Sequence, residues 1–250
     1  MEEKFSESQI DYSKSDNKIV NWFRNYWYYY KWMVIGIAFA VFVVLFCTLQ
    51  TCSGGSPDIT ILYAGTFPPA DNGVVDMEKA LEVALPEDFN EDGEKDVALA
   101  MLMIYSEEQI KEIEINRDED EDRIINRAQN AGELEKFQNL IVSGEYYVCL
   151  LEPWLFDMVN KEGGFMTLED AVGYRPQNAV NDYAIRLSDT ELGQYYDALG
   201  LLDKDTYLCI RAPGAVQEMT GKGKNSDRFK EAVATVKAII EFKAPEENKQ

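Results

Sequence analysis

Hydrophobic positions follow two regimes along this chain. Between Trp32 and Leu49 they run unbroken by any charge, as WMVIGIAFAVFVVLFCTL. Beyond residue 58 they recur in short blocks separated by charged and turn-forming segments. The eighteen residues of the first regime, at about 1.5 Å rise each, make a helix of about 27 Å, matching the hydrocarbon core of a bilayer. A lone segment in lipid must satisfy its own amides, so this pattern predicts one transmembrane helix, with the lipid bilayer as its partner.

The second regime predicts strands alternating with helices. Ile59 to Gly65 (ITILYAG) is a strand ending in a glycine turn, and residues 66–73 are a Pro- and Asp-containing loop. Val75 to Leu85 carries Met77, Leu81 and Ala84 at helical spacing and stops at Pro86. Val97 to Tyr105 (VALAMLMIY) is a continuous apolar run, as in a strand buried on both faces. Gln109 to Asn116 alternates Ile110, Ile113 and Ile115 with charge and reads as another strand. Residues 117–123, RDEDEDR, are a solvated loop. Glu133 to Ser143 is a helix with Gly144 just past its end, Tyr146 to Leu151 a strand, and Trp154 to Val159 a helical segment. Ala184 to Leu187 and Thr206 to Arg211 are strands, with a short helix from Asp189 to Leu199 between them. Ser226 or Asp227 caps a final helix bearing Phe229, Val233, Val236 and Ile240. This alternation predicts one α/β domain with a largely parallel sheet.

The expected layout is therefore a tail over residues 1–31, a transmembrane helix over 32–50, a linker over 51–58, the domain over 59–243 and a disordered end over 244–250. Lys18, Arg24 and Lys31 precede the apolar span, and no Lys or Arg follows it until Lys79. The positive-inside rule puts the N-terminus in the cytoplasm and the domain outside. Trp22, Phe23 and the aromatic run Tyr26 to Tyr30 suit the headgroup layer, either as an anchor or as a partner-binding juxtamembrane helix. The span is longer than a signal-peptide core, and Gln50 and Thr51 before Cys52 depart from a lipoprotein signal, so an uncleaved anchor is expected.

Charge sharpens this picture. The whole net charge of −21 lies beyond residue 50, which disfavours nucleic acid as a partner. The chain contains no histidine, removing His-based triads, His zinc sites and the usual proton shuttle. No GxSxG, P-loop or GxGxxG string occurs. A non-enzymatic role is expected.

Three groups of residues invite chemistry. Asp88, Asn90, Asp92, Glu94 and Asp96 in DFNEDGEKD, with Gly93 at the sixth position, match the start of a calcium loop, although Leu99 stands where the bidentate Glu belongs. The alternative is an acidic turn without metal. Cys149 and Cys209 each sit in an apolar strand, where they either bridge or pack as small buried residues. Trp154, Tyr174 and Tyr207 at strand ends either line a cleft or pack in the core.

The stretch ELEKFQNLIVSGEYYVCLLEPWLFDMVNKEGGFMTLED, from Glu133 to Asp170, resembles the extracellular solute-binding proteins of ABC transporters. It has a helix ending in Ser143-Gly144-Glu145, the strand Tyr146 to Leu151, a short helix and a Phe-x-x-Leu-acid-acid element at Phe165 to Asp170. Tyr183 to Pro213 is similar to a later strand–helix–strand portion of that family. The resemblance implies a periplasmic-binding-protein-like domain taking a small-molecule solute, for uptake or sensing beside a membrane transporter or sensor subunit. This domain is smaller than is usual there, is tethered by a helix, and offers no ligand-binding residue to carry over. The alternative is a degenerate binding-protein fold acting as scaffold or accessory subunit of a membrane complex.

Overall fold

The computed structural model describes residues 18–53, 55–66, 73–115 and 125–245. Residues 117–123 and most of the 66–73 loop lie outside them. The chain forms two units, residues Met1–Gly55 and Ser56–Gln250.

The first unit contains α1 (Lys18–Ser53), 36 residues long. Its segment Tyr26–Phe46 is long and apolar enough to cross a membrane, a criterion that a secretion signal near the N-terminus also meets. The aromatic positions pair at helical i,i+4 spacing, with ring centroids 5.5 Å apart for Trp22–Tyr26 and 4.9 Å for Tyr26–Tyr30. The helix runs through residues 51–53, which the sequence assigned to the linker. Loss of hydrophobicity does not end a helix, and the first breakers after the apolar span are Gly54, Gly55 and Pro57.

The second unit is an α/β domain. In chain order it holds β1 (Ile59–Gly65), α2 (Gly73–Glu82), β2 (Val97–Met103), α3 (Glu107–Ile115), α4 (Arg127–Ser143), β3 (Val148–Leu151) and α5 (Pro153–Asn160). Then follow α6 (Leu168–Val172), β4 (Ala184–Arg186), α7 (Glu191–Tyr195) between two 3₁₀ turns, β5 (Tyr207–Ile210), α8 (Ala215–Met219) and α9 (Asp227–Glu241). The five strands make one sheet in the order β2-β1-β3-β5-β4. Alternation along β1 feeds two cores. Ile59, Ile61 and Tyr63 pack with Met77 and Leu81 of α2 and Val236 and Ile239 of α9. Leu62 and Ala64 pack with Phe137 of α4 and Leu155, Phe156 and Val159 of α5.

The sheet is mixed rather than largely parallel. β1 pairs in parallel with β2 and β3, whereas β5 is antiparallel to both β3 and β4. Arg186 at the end of β4 lies opposite Tyr207 at the start of β5. The connection thus leaves and returns at one end of the sheet, and its five-residue α7 is too short for the crossover that parallel pairing requires.

Two elements differ from their sequence reading. β2 is an edge strand, so residues 98–101 are only half-buried and Met103 is exposed. The segment holding Ile110, Ile113 and Ile115 is helix α3, not a strand. Its start is a capping box: Ser106 Oγ accepts from Gln109 N at 3.2 Å, and Gln109 Oε1 accepts from Ser106 N at 2.7 Å. Other boundaries follow local chemistry. Ser226 caps α9 by accepting from Phe229 N, and Gly144 ends α4 at φ 69°, a conformation that favours glycine.

Candidate functional site

Because β1 lies between β2 and β3 while the chain visits β2 first, its two neighbours are reached in opposite directions. In an open α/β sheet this topological switch leaves a crevice beyond the carboxyl ends of the strands. Glu152 occupies that position. It follows β3 directly and is the N-cap residue of α5, with Pro153 in the first helical turn. Its backbone N–H donates to Ala64 O at 3.1 Å, carrying β3's pairing with β1 one residue further.

The Glu152 side chain is only 2% exposed. Thr66 N–H and Thr66 Oγ1 both donate to its Oε1. Gln109 Nε2 donates to Oε2 at 2.8 Å and Trp154 Nε1 at 3.1 Å. The carboxylate thereby ties together the end of β1, the first turn of α3 and the first turn of α5. Its packing explains Gly65, where an added Cβ would stand 2.7 Å from Glu152 Cγ. Tyr63 donates to Thr66 O at 2.6 Å. Burial raises the Tyr63 hydroxyl pKa far above its usual range, and the charges of Glu152 and Asp203 add to that. Among the described residues no Lys or Arg forms an ion pair with Glu152.

Trp154 continues from this cluster into a groove of about 360 Å³ walled also by Tyr105, Ser106, Glu107, Arg127 and Leu134. Asn130 of α4 fixes that wall, donating to Tyr105 O at 2.9 Å and accepting from Tyr105 N at 2.8 Å. Arg127 reaches Glu107 at 2.8 Å and Glu114 at 3.0 Å.

Of the three aromatic candidates, Trp154 alone lines this groove. Tyr207 is at the same sheet end, opposite Leu151, but its ring packs edge-on against Phe156 at 5.3 Å. Tyr174 lies elsewhere, near Glu241 of α9. The sequence reading missed Glu152, Thr66 and Gln109. An acid directly after an apolar strand and the Ser-x-x-Gln box were the available signals.

The opposite end of the sheet holds the acidic string. Asp58 Oδ1 accepts from Phe89 N at 2.7 Å and Asn90 N at 2.9 Å, and Oδ2 from Asp96 N at 3.0 Å. The side chains of the string turn onto the chain's own amides: Asp88 accepts from Gly93 N, Asn90 from Asp92 N, Asp92 from Glu94 N, and Asp96 from Asp58 N. The expected convergence of Asp88, Asn90, Asp92, Glu94 and Asp96 on a calcium ion is therefore not the arrangement found. Among the described residues no group of three or more Asp, Glu, Cys or His side chains is placed to hold a metal. A cavity of about 380 Å³ lies beside this loop, walled by Asp58, Tyr146, Arg228 and Glu231. It is slightly larger than the Trp154 groove, but it lies at the amino ends of β1 and β3.

Cys149 and Cys209 are directly opposite on β3 and β5, fully buried, and present as free thiols rather than a bridge. Cys209 Sγ donates to Cys149 O at 3.6 Å. Burial pushes the Cys149 thiol up to about 12. These cysteines act as small core residues. Comparison with protein-family models, with curated proteins and with solved structures finds no match to this chain.

Proposed function

We propose that this chain is a single-pass membrane-anchored protein whose α/β domain, like an extracellular solute-binding protein, binds a small molecule without chemistry, for uptake or sensing. The N-terminus faces the cytoplasm and the domain the exterior, on the basis of the basic residues before the span. The observation that carries the reading is the Trp154 groove at the switch-point end of the sheet, where Trp154 and Tyr105 meet apolar Ile110 and Leu134 and the polar side chain of Asn130. The absence of histidine and of a recognisable nucleophile–base string supports binding over catalysis.

The test is thermal unfolding of the full chain in detergent, scanned against sugars, amino acids, short peptides and amines. A ligand that prefers the folded state raises the midpoint. A rise with one class that is lost in Trp154→Leu supports the reading; no rise with any class sinks it. One observation favours a scaffold role instead. All four donors on Glu152 come from the protein itself, so this end of the sheet holds together without a ligand. Co-purification of a stable membrane partner without solute binding is the outcome expected of a scaffold.

A further inference from the structure

We propose that the Trp154 groove selects a small organic cation, a solute bearing an ammonium group, held by the indole ring and the carboxylates around it. This rests on the ligand-binding reading above and names its ligand class. The first support is the link between Trp154 and Glu152. The indole N–H is tied to a carboxylate that is 2% exposed and paired with no cation among the described residues. A buried negative charge is weakly screened, and a hydrogen bond to it pushes electron density into the indole ring. With its N–H edge engaged there, Trp154 offers the groove the rest of a ring whose face attracts cations.

The second support is the charge of the walls. Glu107 and Glu108 line the groove, and Arg127, its one cation among the described residues, is engaged by Glu107 and Glu114. An anionic solute would meet Glu107 and Glu108 on the walls, with the Trp154 N–H serving Glu152 and Arg127 held by its own acids. A neutral polyol would meet Tyr105, Ser106 and Asn130, but Asn130 is committed to the Tyr105 backbone. An ammonium group needs no donor from the protein. It gains from the ring and from Glu108, whose carboxylate Arg127 does not engage.

The experiment uses the full chain in detergent at low ionic strength and three probes of one shape: choline, its neutral isostere 3,3-dimethyl-1-butanol, and 3,3-dimethylbutanoate. Butylamine is added as a primary ammonium. Binding is read by the thermal midpoint and by fluorescence, taking the difference between the native chain and Trp154→Phe. Choline or butylamine is expected to bind about tenfold more tightly than the neutral isostere, and the carboxylate not at all. Glu108→Gln, at an exposed wall position, should weaken the cation several-fold, and Arg127→Gln should strengthen it. These two surface variants keep the test alive should Trp154→Leu fail to fold.

If the neutral isostere, the carboxylate or a sugar binds as tightly as the cation, and Trp154→Leu abolishes that binding, the cation inference fails while the groove stands as a binding site. If cations, neutral solutes and anions all leave the midpoint unmoved, the inference and the binding reading fall together.

Discussion

At the amino ends of β1 and β3, the carboxylate of Asp58 accepts from three backbone amides. At the carboxyl ends, Glu152 accepts from one backbone amide and three side chains. The two acids look alike in sequence, each bordering an apolar strand, yet they do different work. Amide donors belong to the loop itself, so Asp58 fixes the path of the chain from Phe89 to Asp96. Side-chain donors have freedom of their own, so Glu152 fixes where Gln109 and Trp154 sit. The first arrangement builds a turn; the second builds the wall of a groove.

The largest expected effect concerns the strands between the two ends. Burial raises the thiols of Cys149 and Cys209 and the hydroxyl of Tyr63. Below the ordinary thiol value near 9, folded and unfolded chains hold the same protons and these groups leave stability unchanged. As pH rises from there towards about 12, the unfolded chain releases protons that the folded chain keeps. The unfolded state gains and stability must fall. Urea midpoints measured from about pH 8 to pH 11 should show a plateau followed by a steep loss. A flat profile would contradict the burial of these groups.

Glu152→Ala comes next, at about 3 kcal/mol, because it orphans half-buried donors just past β1, on α3 and on α5 together. Glu152→Gln should cost about 1–2 kcal/mol, since its amide places a donor against other donors. Both should move the emission of Trp154, the one tryptophan beyond residue 50. Asp58→Ala should cost about 2 kcal/mol and speed amide exchange at Phe89, Asn90 and Asp96 while leaving Trp154 emission unchanged. A shift of that emission would break the separation of the two ends. Ser226→Ala, removing the α9 cap, should cost about 1 kcal/mol with no effect at either end. Arg127→Gln should leave the unfolding midpoint within error, because its ion pairs are exposed.

The apolar helix α1, the strands β1, β3 and β5 and the helices α4 and α9 were legible because each follows one dominant period or cap. α3 was misread because Ile110, Ile113 and Ile115 mix both periods. The Ser106–Gln109 box was the arbiter, and it is a hydrogen-bonding signal rather than a hydrophobic one. The reversal of β5 was hidden for another reason. Strand direction depends on which end of the sheet a connection returns to, and hydropathy carries no such information. The acidic string also has a partner its local pattern could not show: Asp58, 38 residues from Asp96, lies outside the window that defines the motif. Of the site, Trp154 was recognised as a candidate but its positioning acid was not. A glutamate after a strand reads as a helix start until Thr66 and Gln109 are brought to it.

The two thiols facing each other across β3 and β5 also give the domain a clock. An alkylating reagent meets neither sulfur until those strands part, so the labelling rate of Cys149 and Cys209 counts openings of the middle of the sheet. Peptide mass separates them from Cys47 and Cys52 in α1. A solute seated at the carboxyl end would slow that clock about tenfold for each 1.4 kcal/mol it adds, provided the opening that exposes the thiols also empties the groove. Ligand, mutation and pH can then be compared on one scale, with no label but the chain's own sulfur.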